Sequence, residues 1–446
     1  MSSLRAAVER LRDRVHGWFG QLGVDISVSL FGSGTRRVLG FVTFLMVTRT
    51  LSREQWAYFS LAYLCFDVAL YSSDLGLNTG MMRALAKSIR KGEEQSREAI
   101  LKTVFLVKLV TGLLAAAVGL VAAPFLATHL LNTPEVAPYV RIAMAGVLGM
   151  HLHRFYQAYF RANLEFSRHA AFILIEPVLI LAVVGSVWLL GSLELTPVQT
   201  AYAFAPLLAA LAMGALLPRG YLRARVDAWR QLKEVWHFSR WVYASNLLGT
   251  LRFRLNAILL ANFATTAAVA SYSYADKLAS TLSMLTNALS TVYVPRASHL
   301  LVRSELRDML RKTYRVMLAA VPPLLIVPLF ARPLINLLQP EYVDATPVFV
   351  LLFVSILFTL VALPARSVLY SIHRPQVDTA IQATAIAVTV LAGVPLILQF
   401  GAVGAAVAML VQRFLSATLM IGYVYLAVYR AAPEADAGSE PEPVYH

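Results

Sequence analysis

The chain has 446 residues, of which 58% are hydrophobic and only 14% are charged, and its formal net charge is +14. A soluble domain contains about 25% charged residues, so this composition excludes an ordinary soluble protein and indicates a polytopic helical membrane protein. The single cysteine, Cys65, excludes an intrachain disulfide. The net charge does not require a nucleic-acid partner, because most of the cations fall in loops where the positive-inside rule places them.

An amphipathic helix is predicted at 1–25. Apolar residues recur there at helical spacing on one face: Leu4, Val8, Leu11, Val15, Trp18, Phe19 and Leu22. Four arginines lie between them, so this helix is expected to lie on the cytoplasmic surface of the membrane. No cleavable signal peptide is recognised, because residues 3–22 contain four arginines and no uninterrupted apolar core.

Twelve transmembrane helices are predicted, because an apolar stretch of about 20 residues suffices to cross a bilayer. Their expected limits are 26–48, 55–77, 100–123, 138–160, 170–191, 196–217, 239–262, 268–294, 314–331, 347–365, 377–399 and 403–428. They form an N-lobe of six spans at 26–217 and a C-lobe of six spans at 239–429. A basic cytoplasmic helix at 218–238 joins the lobes, and the acidic tail at 430–446 is expected to be disordered.

The distribution of loop charges supports this segmentation. With the N-terminus inside, the outer loops contain only three basic residues, Arg49, Arg53 and Arg332, whereas the inner loops contain many. This alternation continues through all twelve spans, which predicts that both termini are cytoplasmic. None of the predicted loops is long enough for a catalytic domain, so we do not expect an enzyme.

Several cations lie within the predicted spans, where a charge is costly unless it faces protein or a water-filled cavity. Ten lysines and arginines lie in spans or at their ends: Arg36, Arg37, Lys102, Lys108, Arg141, Arg154, Arg252, Arg254, Lys277 and Arg413. Polar stripes on spans 1, 2, 7 and 8 predict one central hydrated cavity. Because the planar fork of arginine suits phosphate, this cavity is predicted to select an anion.

Three acids within the spans are predicted to lie level with a cation of the same helical hairpin. Counting residues from each turn places Asp67 level with Arg36, Glu176 level with Arg154, and Asp276 level with Arg254. A buried charge is tolerated when it is paired, so three ion pairs within hairpins are expected.

The sequence motifs around the second span resemble those of a known transporter family. Matching positions in the first half are Arg49, Leu51, Tyr58, Asp74, Gly76 and Leu77. Matching positions in the second half are Ala270, Tyr272, Ala275, Lys277, Leu278 and Pro295, followed by the run GAVGAAVAMLVQ in the last span. The pattern is similar to that of Wzx-type polysaccharide-repeat flippases of the multidrug/oligosaccharidyl-lipid/polysaccharide exporter superfamily. Ser52 and Ala57 depart from it where glycine is usual.

This resemblance implies two six-helix lobes around a central cationic cavity. It also implies transport of an undecaprenyl-pyrophosphate-linked oligosaccharide to the outer leaflet by alternating access, for O-antigen or exopolysaccharide assembly. The residues expected to attract the pyrophosphate are Arg36, Arg37, Arg252, Arg254 and Lys277. The candidates for charge pairing or for coupling to a proton or sodium gradient are Asp67, Arg154, Glu176 and Asp276. No cofactor and no metal are expected.

The resemblance further implies a location in the bacterial cytoplasmic membrane. The expected partners are the lipid-linked glycan, the bilayer and polysaccharide polymerase or assembly proteins, and we expect a monomer. Two other transporters stay open. A drug/cation antiporter of the same superfamily would need acids in its cavity, whereas span 1 contains Arg36 and Arg37 and no acid after Asp25. A lipid II flippase usually has two additional C-terminal spans. A membrane glycan polymerase or ligase would need a sizeable outer loop.

Overall fold

The computed structural model describes residues 27–191, 194–216, 220–223, 228–283, 286, 303–371 and 375–430. Within these ranges the secondary structure is helical and includes no strand, which confirms the predicted all-α fold class. The amphipathic helix predicted at 1–25 lies outside the described residues. The tail predicted at 430–446 also lies outside them, apart from Arg430.

The first half of the chain forms α1 to α9. Their bounds are Ser27–Thr50 (α1), Arg53–Ser73 (α2), Leu77–Lys91 (α3), Glu94–Phe125 (α4), Ala137–Ala145 (α5), Val147–Ala162 (α6), Phe166–Leu189 (α7), Leu195–Leu216 (α8) and Gly220–Arg223 (α9). The tight turn between α1 and α2 is stabilised by a capping box. The side chain of Ser52 accepts a hydrogen bond from the backbone N–H of Gln55, and the side chain of Gln55 accepts one from the backbone N–H of Ser52.

The helical structure is interrupted between α2 and α3, inside the range predicted as span 2. Leu75 and Gly76 both have positive φ, at 53° and 64°. A Cβ at Gly76 would lie 2.7 Å from the backbone oxygen of Ser239, so a larger residue would meet both backbone strain and a clash. Asp74 therefore lies at the end of α2, directly before this break.

The second half of the chain contains α10 to α16. Their bounds are Ala228–Phe263 (α10), Thr266–Ala279 (α11), Arg303–Leu324 (α12), Ile326–Leu329 (α13), Ala331–Leu338 (α14), Thr346–Ser371 (α15) and Pro375–Tyr425 (α16). Gly401 interrupts α16 with φ 53° and ψ −126°. This break falls between predicted spans 11 and 12, so α16 is two helical segments rather than one rod.

Six helices of the described chain are long and apolar enough to cross a membrane, and a seventh is obtained if one bent pair is a single span. The bent pair is Val321–Leu329 with Ala331–Leu338, at 58°. One of the six, Gln376–Val428, has 53 residues, and the break at Gly401 divides it. A described helix overlaps every predicted span, but the count of twelve spans stays a prediction.

The chain divides into two units, Met1–Thr250 and Leu251–His446. The predicted linker helix at 218–238 does not end where the sequence suggested. After the short α9, α10 runs without interruption from Ala228 to Phe263, because no proline lies in this stretch to break it. The predicted linker and span 7 therefore share one helix, and the division between the units falls inside it.

Close packing of α6 against α8 in the first unit leads to a stability prediction. A Cβ at Gly149 would lie 2.6 Å from the Cβ of Leu207 and 2.8 Å from its backbone nitrogen. Overpacking of this kind costs about 1–3 kcal/mol, so Gly149→Ala is expected to lower the melting temperature of the detergent-purified protein. The matched control is Gly34→Ala in α1, where nothing lies within 4 Å of the added Cβ. Equal melting temperatures for the two variants would contradict the close approach.

Candidate functional site

Glu176 is the centre of a charged cluster in the first unit. Arg36 of α1 donates a hydrogen bond from Nη2 to Oε2 of Glu176 over 2.8 Å. Nε2 of His153 lies 3.3 Å from the same oxygen. The side chain of Glu176 is 9% exposed and that of His153 is fully buried, whereas that of Arg36 is 38% exposed. Arg36 therefore neutralises a buried acid while part of its own side chain stays accessible.

The ion pairs predicted within hairpins are wrong for Glu176 and Arg36. Glu176 was assigned to Arg154 and Arg36 to Asp67, but Arg36 and Glu176 bind each other. Counting residues from a turn gives the depth of a side chain, but it does not say which helices are neighbours. In the first unit α1 packs closely against α7, since a Cβ at Gly32 would lie 2.7 Å from the Cβ of Ala170. The predicted pairing of Arg254 with Asp276 stays a prediction.

Arg154 stacks on an aromatic ring instead of pairing with Glu176. Its Cζ lies 4.5 Å from the centroid of the Tyr71 ring, a distance typical of a cation–π interaction. Asp67, the acid assigned to Arg36, is buried on α2. Both residues lie in the first unit, and Arg154 has a contact that the sequence did not suggest.

A second ion pair of the first unit joins Lys108 of α4 to Asp74 at the end of α2. Nζ of Lys108 donates to Oδ1 of Asp74, and Asn78 donates a further hydrogen bond to that oxygen over 3.3 Å. Next to this pair, Oγ of Ser73 lies 2.8 Å from Nε2 of His151. The side chain of Lys108 is fully buried, so Asp74 neutralises a cation that has no access to water. The sequence identified both charges but did not pair them.

The second unit contains a cavity of about 430 Å³ that is rich in arginine. Its charged lining residues are Arg252 of α10, Arg366 of α15, and Asp378 and Arg413 of α16. Serine and glutamine side chains and several apolar residues complete the lining. Three cations therefore face one acid, and such a cavity is expected to attract anions.

The one acid of this lining is engaged by its neighbours. Arg366 donates to Oδ2 of Asp378 over 2.8 Å, and Gln382 donates to the same oxygen over 3.2 Å. Arg413 donates to Oγ of Ser355 over 3.1 Å. The guanidinium groups of Arg252 and Arg413 lie 4.4 and 5.8 Å from the centroid of the Phe253 ring. These two arginines therefore share one aromatic neighbour within the cavity.

Of the five residues predicted to attract pyrophosphate, two lie in the first unit and three in the second. Arg36 and Arg37 lie in the middle of α1, and both are partly exposed. Arg252 lines the cavity of the second unit, whereas Arg254 does not, and Lys277 is exposed in the last turn of α11. Arg252 lines this cavity together with Arg366, Asp378 and Arg413, which were not predicted to form a site.

Three charged residues of the cavity were missed as site residues. Arg413 was predicted only to be a cation within the spans, and neither Arg366 nor Asp378 was predicted to belong to a site. A signal for one contact was present, since Arg366 and Asp378 lie 12 residues apart on either side of the connection between α15 and α16. The hairpin count applied to the other spans would have placed these two side chains level.

The chain is similar to a known protein family in sequence and to solved structures in fold. The family described as "polysaccharide biosynthesis protein" matches residues 22–301. Comparison with curated proteins finds no match. Many solved structures have a similar fold, including the two described next, and at such low sequence identity the likeness concerns the fold alone.

The first of these structures is a multidrug resistance MATE family transporter of the MOP superfamily in an inward-facing conformation. It has a TM-score of 0.75 and 14% sequence identity, over 87% of this chain and 94% of that one. The second is the lipid II flippase MurJ in an inward closed conformation. It has a TM-score of 0.69 and 15% sequence identity, over 90% of this chain and 87% of that one.

Proposed function

The chain belongs to the polysaccharide biosynthesis protein family, and on that premise we propose that it is a flippase for a lipid-linked oligosaccharide. The substrate is an oligosaccharide on undecaprenyl pyrophosphate, moved from the cytoplasmic to the outer leaflet by alternating access. Its chemistry is transport, and no covalent step is assigned to the protein. The similar solved structures, a transporter and a flippase, agree with this class of activity.

The main support for an anionic substrate is the sign of the charges. In the second unit, three arginines and one acid line the cavity, and the acid is bonded to one of the arginines. In the first unit, Arg36 is partly exposed and Arg37 lies beside it. We propose that Arg36, Arg37, Arg252, Arg254 and Lys277 attract the pyrophosphate group.

Two other substrates compete with this proposal. A drug/cation antiporter would require acids that face its cargo, whereas three of the buried acids here, Glu176, Asp74 and Asp378, are each bonded to a cation. A lipid II flippase has the same pyrophosphate chemistry, and the fold is similar to that of MurJ. Lipid II is therefore the second candidate, and the two differ in the glycan that is accepted.

The orientation proposed from the loop charges places both termini in the cytoplasm and the protein in the bacterial cytoplasmic membrane. A proton or sodium gradient is proposed to drive the step. The acids proposed to sense it are Asp67, Glu176 and Asp276. Glu176 is the best placed by its contacts, because it is buried between a histidine and a partly exposed arginine.

Flipping can be measured directly with the purified protein in liposomes. The probe is a fluorescent oligosaccharide on undecaprenyl pyrophosphate, and its exposure in each leaflet is followed with a membrane-impermeant quencher. We expect protein-dependent transfer that Arg252→Ala abolishes and that Arg332→Ala, an exposed arginine outside the cavity, leaves intact. No transfer by a folded wild-type protein with the matching glycan would refute the proposal. Transfer of lipid II but not of the oligosaccharide would favour the second candidate.

A further inference from the structure

The arginine cavity of the second unit contains donors that lack protein partners. Nε of Arg252, Nε of Arg413 and Oγ of Ser416 are buried and have no hydrogen-bond partner among the described residues. Arg413 as a whole is only 9% exposed. A buried donor without a partner costs free energy, and a group bound in the cavity can supply the missing acceptor.

The charges of the lining residues also favour a ligand that accepts hydrogen bonds, namely an anion. Arg366 is bonded to Asp378, whose Oδ2 is shared with Gln382, so Arg252 and Arg413 are the lining cations without a hydrogen bond to this acid, and Asp378 attracts Arg252 only electrostatically. Asp276 attracts Arg413 electrostatically from outside the lining. Two cations beside the same Phe253 ring repel each other, and an anion between them would relieve that repulsion.

From these observations we propose that the cavity between α10, α15 and α16 is a site for one phosphate or pyrophosphate group, bound by Arg252, Arg413 and Ser416. Guanidinium groups bind such oxyanions with two parallel hydrogen bonds, which a hydroxyl group can extend. The volume of about 430 Å³ is in the range of small-ligand sites. Arg366 is a positioning residue: its ion pair with Asp378 neutralises this carboxylate, which would otherwise repel the bound anion.

The site deepens the proposed function, on which it rests for the source of the anion. The shared chemistry is a phosphate-type oxyanion, which comes either from a lipid carrier or from the free ion. The site lies within the second unit alone, so its occupancy can be measured apart from transport. Loss of anion binding at this site and loss of flipping can therefore be observed independently of each other.

The test is thermal unfolding of the full-length protein in detergent while inorganic pyrophosphate is added, with sodium chloride at matched ionic strength as the control. A ligand that binds only the folded protein raises the melting temperature in a concentration-dependent manner. We expect a rise for the wild type and for Arg332→Gln. We expect at least a tenfold weaker response for Arg413→Gln and for Arg252→Gln, since each loses one charge-assisted contact.

Two further arms identify the source and keep the test decisive. Farnesyl pyrophosphate replaces the free ion in one arm, and stronger stabilisation by it assigns the site to the head group of a lipid. Stronger stabilisation by inorganic pyrophosphate assigns it to the free ion. If Arg413→Gln does not fold, Arg413→Lys is used. Lysine keeps the positive charge but lacks the planar guanidinium group, so weaker binding of pyrophosphate is still expected. Equal responses in wild type, Arg252→Gln and Arg413→Lys, or a response matched by chloride, would overturn the site, whether or not flipping is observed.

Discussion

Lys108→Met is expected to lower the stability of the first unit by about 3–5 kcal/mol, the usual cost of removing one partner of a buried ion pair. The side chain of Lys108 is fully buried, and Asp74 is 7% exposed. Without Lys108 the carboxylate of Asp74 stays buried with a donor from Asn78 but without its ion-pair partner, and Arg154 attracts it only electrostatically. The expected result is a large fall in the melting temperature and in the amount of folded protein.

The double variant Lys108→Met/Asp74→Asn distinguishes this explanation from simple loss of packing. Removing both charges is expected to recover most of the stability, because replacing a buried pair by uncharged groups is often neutral. The matched control is Lys91→Met, whose pair with Glu93 is exposed on both sides at 3.8 Å. Exposed pairs contribute about 0–1 kcal/mol, so little change is expected there. A double variant as unstable as Lys108→Met would contradict the explanation by an uncompensated buried carboxylate.

Helix positions were predictable because they depend on local composition. The run of Ile26 to Thr48 is apolar enough to form a helix in any bilayer, and α1 covers it from Ser27. The predicted limits of spans 11 and 12, 377–399 and 403–428, leave Gly401 between them, and the structure interrupts α16 at this residue. The start of α10 at Ala228 was missed because a basic amphipathic segment and an apolar span can continue as one helix without a sequence signal between them.

Contacts between helices that are distant in the chain could not be predicted from the sequence. Arg36 and Glu176 are 140 residues apart, and nothing near either residue indicates that α1 and α7 are neighbours. The close approach depends on Gly32, and a glycine in a span has many other uses. Arg366 and Asp378 are different, because they face each other across a short connection and the hairpin count would have found them.

Arg36→Leu is expected to reduce polysaccharide export at least roughly tenfold, because a charge-assisted hydrogen bond to the substrate is worth about 1.5–3 kcal/mol. The side chain of Arg36 is 38% exposed although one of its nitrogens is bonded to Glu176, so other donors stay available to a ligand. Export is measured as surface polysaccharide per amount of folded protein in cells. The control is Arg49→Leu, an exposed arginine at the end of the same helix, for which export is expected to persist.

The double variant Arg36→Leu/Glu176→Leu separates substrate binding from charge compensation. If Arg36 serves only to neutralise Glu176, removing both charges restores stability and leaves binding of the pyrophosphate-linked oligosaccharide intact, since no buried carboxylate is left. If Arg36 contacts the pyrophosphate, the double variant is stable but binds the substrate more weakly, because the donor is absent whatever happens to the acid. We expect the second result, and binding is measured in place of export because Glu176 is itself a proposed sensor of the ion gradient. His153 is buried and cannot replace a partly exposed guanidinium group, so unchanged binding would remove Arg36 from the set of substrate-binding residues.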